Sequence, residues 1–270
     1  MSNYHTVTIP LTAIDGDILS DIVFSNGGLG LEEKEVVYIC SFENGFDKDR
    51  LFSELSNFLD PDQVVIETKE KQNWMESWKA NFKPLEIGKR FLVKPSWIAD
   101  SDSQRIEIQI DPKMAFGTGT HETTQLILEQ LEDIVKQSDT VLDAGTGSGI
   151  LAIAAEKLGA AKVIAFDNDP VAIENCEENL QLNHCKNVSA FAGEIESISE
   201  QFDVVIANIN RNILIEIATQ LIATCKKDGT LVLSGLLLED KPAILKAYEH
   251  VKLAKSVDKG EWTCLVFKLN

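Results

Sequence analysis

Asp143, Gly145, Gly147, Gly149 and Asp167 are the residues of this chain whose types and spacing most directly imply chemistry. The apolar pair Val141-Leu142 leads into Asp143, and glycine then takes every second position to Gly149, ahead of an apolar, helix-like stretch. Glycines there let the backbone turn tightly and admit a ligand against the main chain, while N–H groups at the start of the next helix can receive an anion. Ile150 stands where the dinucleotide fingerprint G-x-G-x-x-G needs its third glycine, which argues against a nicotinamide cofactor. Val163–Phe166 reads as a second strand, and Asp167 ends it 22 residues after Gly145. A carboxylate in that place binds ribose hydroxyls. Capping the helix that opens at Asn168-Asp169-Pro170 is the competing role for it.

The D-x-G-x-G-S-G pattern plus a correctly spaced acid resembles the class I S-adenosylmethionine-dependent methyltransferases, and two further stretches fit such a site. Asp111–Thr124 carries Phe116, Gly117, Gly119 and four threonines directly ahead of the glycine turn. It reads as a flexible loop before a helix that Thr120 can cap. The expected role is closure over the cofactor, with Phe116 covering the adenosine or methionine portion and Thr124 bonding to it from the helix. Val204–Asn210 reads as a strand that ends in amides, and Asn208 lies where a parallel sheet opens onto its ligand. An amide accepts from an amine through its carbonyl and donates through its NH2, so it orients a nucleophile without setting a charge beside it. A strand-end Asx turn is the purely structural alternative.

The elements that must hold these residues form two groups and a connector. Residues 1–70 read β-α-β-β-α-β, with strands at Tyr4–Ile9, near Leu29–Glu32, at Val36–Cys40 and at Val64–Thr68, and helices at Leu11–Phe24 and Arg50–Leu59. That order predicts a small α+β ferredoxin-like domain. Residues 71–110 form the connector, with a short helix over Asn73–Ala80, a strand at Phe91–Lys94, and Trp74, Trp78 and Trp97 read as packing anchors rather than a substrate clamp. Residues 111–270 alternate helix 120–136, strand 140–143, helix 149–158, strand 162–166, helix 170–182, strand 188–191, strand 203–206, helix 212–224 and strand 230–234. Such alternation predicts an α/β, Rossmann-like parallel sheet covered on both faces, with its ligand at the carboxyl ends of the strands. After helix 240–248, His250–Val257 and Trp262–Leu269 flank Lys259-Gly260 and predict a C-terminal antiparallel hairpin.

At 270 residues and 44% hydrophobic content the chain can bury one large core and one small one. No run approaches about 18 apolar residues and the N-terminus lacks a secretory signal, so a soluble, cytoplasmic protein without a membrane partner is expected. Five cysteines without a C-x-x-C pair read as reduced, mostly buried thiols, and four histidines without zinc-ligand spacing imply no metal. Net charge is −18, and residues 1–70 hold 14 acids against 4 bases. Such a field repels phosphate backbones and attracts cationic proteins, so a basic partner is expected and no direct nucleic-acid specificity; an ordinary solvated acidic surface is the alternative. A monomer is expected.

Four blocks of sequence narrow the resemblance: W-x-x-x-W-K-x-x-F-K-P-L with K-P-S-W over 74–97, A-F-G-T-G-T-H-x-T-T over 115–124, the glycine turn with its helix over 143–159, and V-I-A-N-I over 205–209. They are similar to the bacterial ribosomal protein L11 methyltransferase (PrmA) family and together span about three quarters of the chain. The resemblance implies transfer of methyl groups from S-adenosylmethionine to lysine side chains and the N-terminal amine of a basic large-subunit ribosomal protein. It implies that Thr124, Gly145, Asp167 and Asn208 contact the cofactor. Phe116, Gly117, Asp143 and Gly147 join them from the two glycine-containing stretches, Asn208 also orients the amine, and residues 1–70 recognise the substrate. The sequence departs from the family pattern at Glu122, where proline is usual, and at Asn210, where leucine is usual.

A lysine amine has a pKa of about 10.4, so presenting it neutral at pH 7 costs about 4–5 kcal/mol. Burial lowers that pKa and a nearby carboxylate raises it, which predicts an apolar or amide-lined acceptor channel with acids at its rim. Competing readings are a methyltransferase for another protein or a small-molecule amine, and a non-catalytic ribosome-binding adaptor. An amide-methylating enzyme is disfavoured because Asn208-Ile-Asn-Arg211 replaces the N-P-P-Y such enzymes carry.

Overall fold

The structure is a computed structural model that describes residues 3–70, 83–99, 103–111 and 119–269. Trp74 and Trp78, with the helix expected over 73–80, lie outside the described residues, as do Phe116 and Gly117. The chain divides into two compact units, 1–81 and 82–270.

In the first unit β1 (Asn3–Pro10), α1 (Gly16–Ser25), β2 (Gly28–Glu33), β3 (Val37–Glu43), α2 (Lys48–Leu55) and β4 (Val65–Glu70) follow one another. The sheet is antiparallel with order β2-β3-β1-β4, the order of a ferredoxin-like sandwich. Strand alternation explains the packing. Val7 and Ile9 of β1 and Tyr38, Cys40 and Phe42 of β3 share one face, where they join Leu19, Val23, Leu51 and Leu55 in a single apolar cluster. Helix α1 starts later than its apolar spacing suggests, because the chain after Pro10 is held in a turn by Leu11 N–H donating to Val36 O (3.1 Å) and Ala13 N–H to Pro10 O (3.0 Å). Gly28 and Gly30 make β2 faint in the sequence, and its pairing with β3 is what sustains it.

The second unit opens with β5 (Leu85–Ile87), β6 (Phe91–Lys94) and β7 (Ile106–Gln109), which form a small sheet in that order. Of these only β6 stands out in the sequence, through its unbroken apolar run Phe91-Leu92-Val93; β5 and β7 interrupt their apolar residues with glutamate and offer no such run. Phe91, Val93, Ile108 and Ile110 enter the large core of this unit.

Helix α3 (Glu122–Ile134) follows. Its N-cap is His121, whose ring nitrogen accepts from Thr123 N–H at 3.3 Å, so the cap is not the expected Thr120; the Thr120 carbonyl receives Gln125 Nε2 at 2.9 Å instead. Glu122, in place of proline, occupies the first helical position, where an acidic side chain suits the helix dipole.

The main sheet contains β8 (Thr140–Ala144), β9 (Lys162–Asp167), β10 (Val188–Ala192), β11 (Phe202–Asn208), β12 (Cys225–Leu237), β13 (Lys252–Lys259) and β14 (Trp262–Lys268) in the order β10-β9-β8-β11-β12-β14-β13. The first five are parallel, and β14 and β13 add an antiparallel edge. Helices α4 (Ile150–Leu158), α5 (Pro170–Leu182), α6 (Arg211–Glu216), α7 (Ala218–Ala223) and α8 (Lys241–Ala247) accompany it, with an apolar cluster on each face. The single helix expected over 212–224 is two, broken at Ile217 (φ −95°, ψ 13°) after a run of β-branched isoleucines that weakens helical propagation. All five cysteines are free; Cys40, Cys176, Cys225 and Cys264 are buried, and burial pushes their thiols up to about 12. No helix among the described residues is long and apolar enough to cross a membrane.

Candidate active site

The order in which strands are added reverses at β8, with β9 and β10 on one side and β11 and β12 on the other. Ala144, at the end of β8, pairs with Phe166 on one flank and Ala207 on the other. Chain leaving β8 and β11 therefore parts over a crevice at the carboxyl edge, the place where α/β sheets bind ligands.

The glycine turn lies in that crevice. Gly145 has φ +72°, and a methyl added there would overlap Ile209 Cγ2. Gly149 has φ +83°, and a methyl there would sit 2.6 Å from Cys176 Sγ on α5. Only glycine meets both demands. The turn is braced from β9: Gly145 and Thr146 N–H donate to Phe166 O at 2.9 and 3.0 Å, and Gly147 N–H donates to an Asp167 carboxylate oxygen at 2.9 Å. The anion expected at the start of α4 comes from within the chain. Asp143 is fully buried beneath the turn, and burial pushes its carboxyl up to about 6, against the opposing pull of the Thr146 hydroxyl (2.7 Å) and the Ala152 N–H. Its other oxygen, Oδ1, is buried without a hydrogen-bond partner among the described residues.

Asp167 ends β9 with both oxygens facing backbone donors, Gly147 N–H and, at 3.1 Å, Asp169 N–H. The cap of α5 is Asp169, which accepts from Val171 N–H at 2.9 Å. Across the crevice, Thr124 is fully buried on the first turn of α3, and its hydroxyl accepts from Asn208 Nδ2 at 3.4 Å. Asn208 Oδ1 is buried and has no hydrogen-bond partner among the described residues. Asn210, the other departure from the family pattern, caps α6 by accepting from Ile213 N–H at 3.2 Å.

Two cavities flank Ile209. One, of about 170 Å³, is lined by Thr124, Gly145, Thr146, Gly147, Ile150, Asp167 and Asn208. The other, of about 300 Å³, is lined by Phe166, Asp167, Asn168, Gly193, Glu194, Ile195, Ile213 and Ile217. Gly145, Asp167 and Ile209 border both. Five expected residues, Thr124, Gly145, Gly147, Asp167 and Asn208, thus come together around the smaller cavity, with Asp143 beneath the turn. Glu194, Ile195, Ile209 and Ile213 were not singled out in the sequence. Their signal was positional, since they follow the ends of β10 and β11, where a parallel sheet exposes its ligand edge.

A family model described as Ribosomal protein L11 methyltransferase (PrmA) matches residues 22–270. The chain belongs to this family. A relative from Pelobacter propionicus named ribosomal protein L11 methyltransferase is 39% identical, covering 84% of this chain and 80% of its own. One of the same name from Lactococcus lactis is 30% identical over 99% of this chain and 96% of its own. The crystal structure of a ribosomal protein L11 methylase from Lactobacillus delbrueckii subsp. bulgaricus superposes with a TM-score of 0.66 at 30% identity, over 70% of this chain and all of that one. Family membership makes the chain an S-adenosylmethionine-dependent methyltransferase. The residues present fit that cofactor: a cradle that only glycine allows, and the orphaned acceptor Asn208 Oδ1 beside it.

Proposed function

We propose that this chain methylates lysine side chains and the N-terminal amine of ribosomal protein L11 in the cleft between β8 and β11. The observation that carries the reading is Asn208 Oδ1, a buried acceptor without a partner among the described residues, at the carboxyl edge of β11 beside Thr124 and the glycine turn. Gly145 and Gly147 offer a backbone surface to the cofactor, Asp167 accepts from its ribose hydroxyls, and Thr124 and Asn208 hold its other end. Asp143 fixes the turn from below, and Phe116 and Gly117 complete the set from the loop. When bound, S-adenosylmethionine supplies an electrophilic methyl on a sulfonium. The protein's task is then to hold a neutral amine in line with that methyl, at about 3 Å.

Asn208 suits the amine. Its carbonyl accepts an N–H and leaves the nitrogen lone pair directed at the donor, without the pKa-raising charge of a carboxylate. Residues 1–70 form the substrate-recognition domain, whose 14 acids against 4 bases favour a basic protein. The reading is tested by label transfer from S-adenosylmethionine to undermethylated L11, free and on the ribosome. Label on lysines and the N-terminal amine supports it. An unlabelled L11, with label on another protein or small amine, rejects the substrate; no transfer to anything points to an adaptor.

A further inference from the structure

Helix α5 and its C-cap, Asn183, turn a row of amides inward. Asn175, Asn179 and Asn183 recur at every fourth position, and each is nearly or fully buried. Buried amides need partners: Asn175 Oδ1 accepts from Asn179 Nδ2 at 3.2 Å, while Asn179 and Asn183 also bond to two separate pieces of backbone. Asn183 Oδ1 accepts from Gln109 N–H at 2.9 Å and its Nδ2 donates to Gln109 O at 2.6 Å. Strand β7 is the edge of its sheet, so this side chain supplies the ladder bonds that a further strand would make. Asn179 reaches both ways. Its Nδ2 donates to Ser148 O at 2.9 Å, inside the glycine turn, and its Oδ1 accepts from Asp111 N–H at 3.3 Å, just past β7. Asp111 is itself fixed, its carboxylate accepting from the N–H and hydroxyl of Ser96, both at 2.7 Å.

We infer that Asn179 is a positioning residue for the methyl donor: from behind the turn, outside the cofactor cleft, its amide holds the Ser148 carbonyl in register with Asp111. The inference rests on the cleft being the cofactor site as proposed above. Three facts carry it. Ser148 lies between Gly147 and Gly149, so its carbonyl orientation sets the plane of the Ser148–Gly149 peptide, which leads into α4. Gly149 leaves no room for the turn to shift toward α5, since a methyl there would already meet Cys176 Sγ at 2.6 Å. The donor to Ser148 O is a side chain with 1% exposure, so water cannot replace it.

The chemistry of one substitution makes this testable. Asn179→Asp keeps the acceptor for Asp111 N–H, yet as a carboxylate it repels the Ser148 carbonyl; protonated, it donates there again. Calorimetric titration with S-adenosylmethionine from about pH 5.5 to about pH 8.5 should show affinity at least about tenfold below the unaltered chain at the alkaline end, recovering toward it as pH falls. Asp111, Asp143 and Cys176 also titrate near this position, and Asn179→Ala, which adds no charge, supplies the reference pH profile for their contribution. Asn179→Ala should bind weakly at every pH. Asn183→Asp, which meets β7 but not the turn, should lower the melting temperature while cofactor affinity stays within about twofold. A pH-independent ratio for Asn179→Asp, undiminished affinity in Asn179→Ala, or equal cofactor loss in Asn183→Asp would each overturn the inference. So would a failure of both Asn179 variants to fold, because the amide would then serve the scaffold. If Asp167→Ala binds cofactor normally, the cleft assignment itself is what fails.

Discussion

The two cavities that meet at Ile209 differ in how they are charged. The larger is ringed by Asp167, Glu194, Glu196 and Glu216 over a floor of isoleucines, whereas the smaller has Asp167 at its border and otherwise the neutral dipoles of Thr124, Thr146 and Asn208. A nucleoside offers hydroxyl and amine donors and an apolar ring, which carboxylates and isoleucines match. A lysine must shed its proton before it reacts, and a carboxylate beside it would hold that proton in place. On the assignment proposed above, charge lies toward the ribose end of the donor, and the end held by Thr124 and Asn208, where methyl and amine would meet, is lined by neutral dipoles.

The contrast can be broken most severely at the wall the cavities share. Gly145→Ala places a methyl against Ile209 at φ +72°. It should remove measurable cofactor binding and cost about 2–4 kcal/mol of folding stability in urea. An intact dissociation constant would mean that the turn does not face the ligand. Asp167→Ala is next, with an expected loss of ~1.5–3 kcal/mol in S-adenosylmethionine affinity. An unchanged KM for the cofactor would reject the ribose assignment.

Asp143 tests what lies beneath the turn. Burial raises its carboxyl from 3.8 to about 6, so between those values the folded protein keeps a proton that the unfolded chain has released. Stability should fall as pH rises through that window and stay lower above it. Asn in its place should remove that slope and raise stability at pH 7 by about 2 kcal/mol; a wild-type curve that rises across the window would contradict the assignment. The mildest test is Asn208→Asp. A carboxylate there should raise the amine's pKa by about one unit, lowering kcat about tenfold at pH 7 and restoring it under alkaline conditions. If the rate ratio between variant and parent ignores pH, the neutrality of the acceptor side has no catalytic meaning.

How much of this was legible follows from where each signal resides. The glycine turn and Asp167 could be read because backbone geometry and strand length are local properties: positive φ demands glycine, and one β-α-β unit fixes the distance to the next strand end. Asn208 could be read because polar residues end an otherwise apolar strand. Glu194, Ile209 and Ile213 could not, since their importance comes from the order of strands in the sheet, which places β11 beside β8. The asparagines of α5 were hidden for a similar reason. A polar residue at every fourth position resembles a solvated helix face until β7 is known to lie against it. Thr120 misled because His121, a less common cap, lies one residue nearer the helix.

Ile209 also sets a size limit. Its Cγ2 lies where a methyl on Gly145 would go and it borders both cavities, so the space above the turn is limited by one aliphatic side chain. Trimming that side chain should enlarge the space above Gly145. Ile209→Ala should then turn over a bulkier synthetic sulfonium donor more readily, relative to S-adenosylmethionine, than the unaltered chain does.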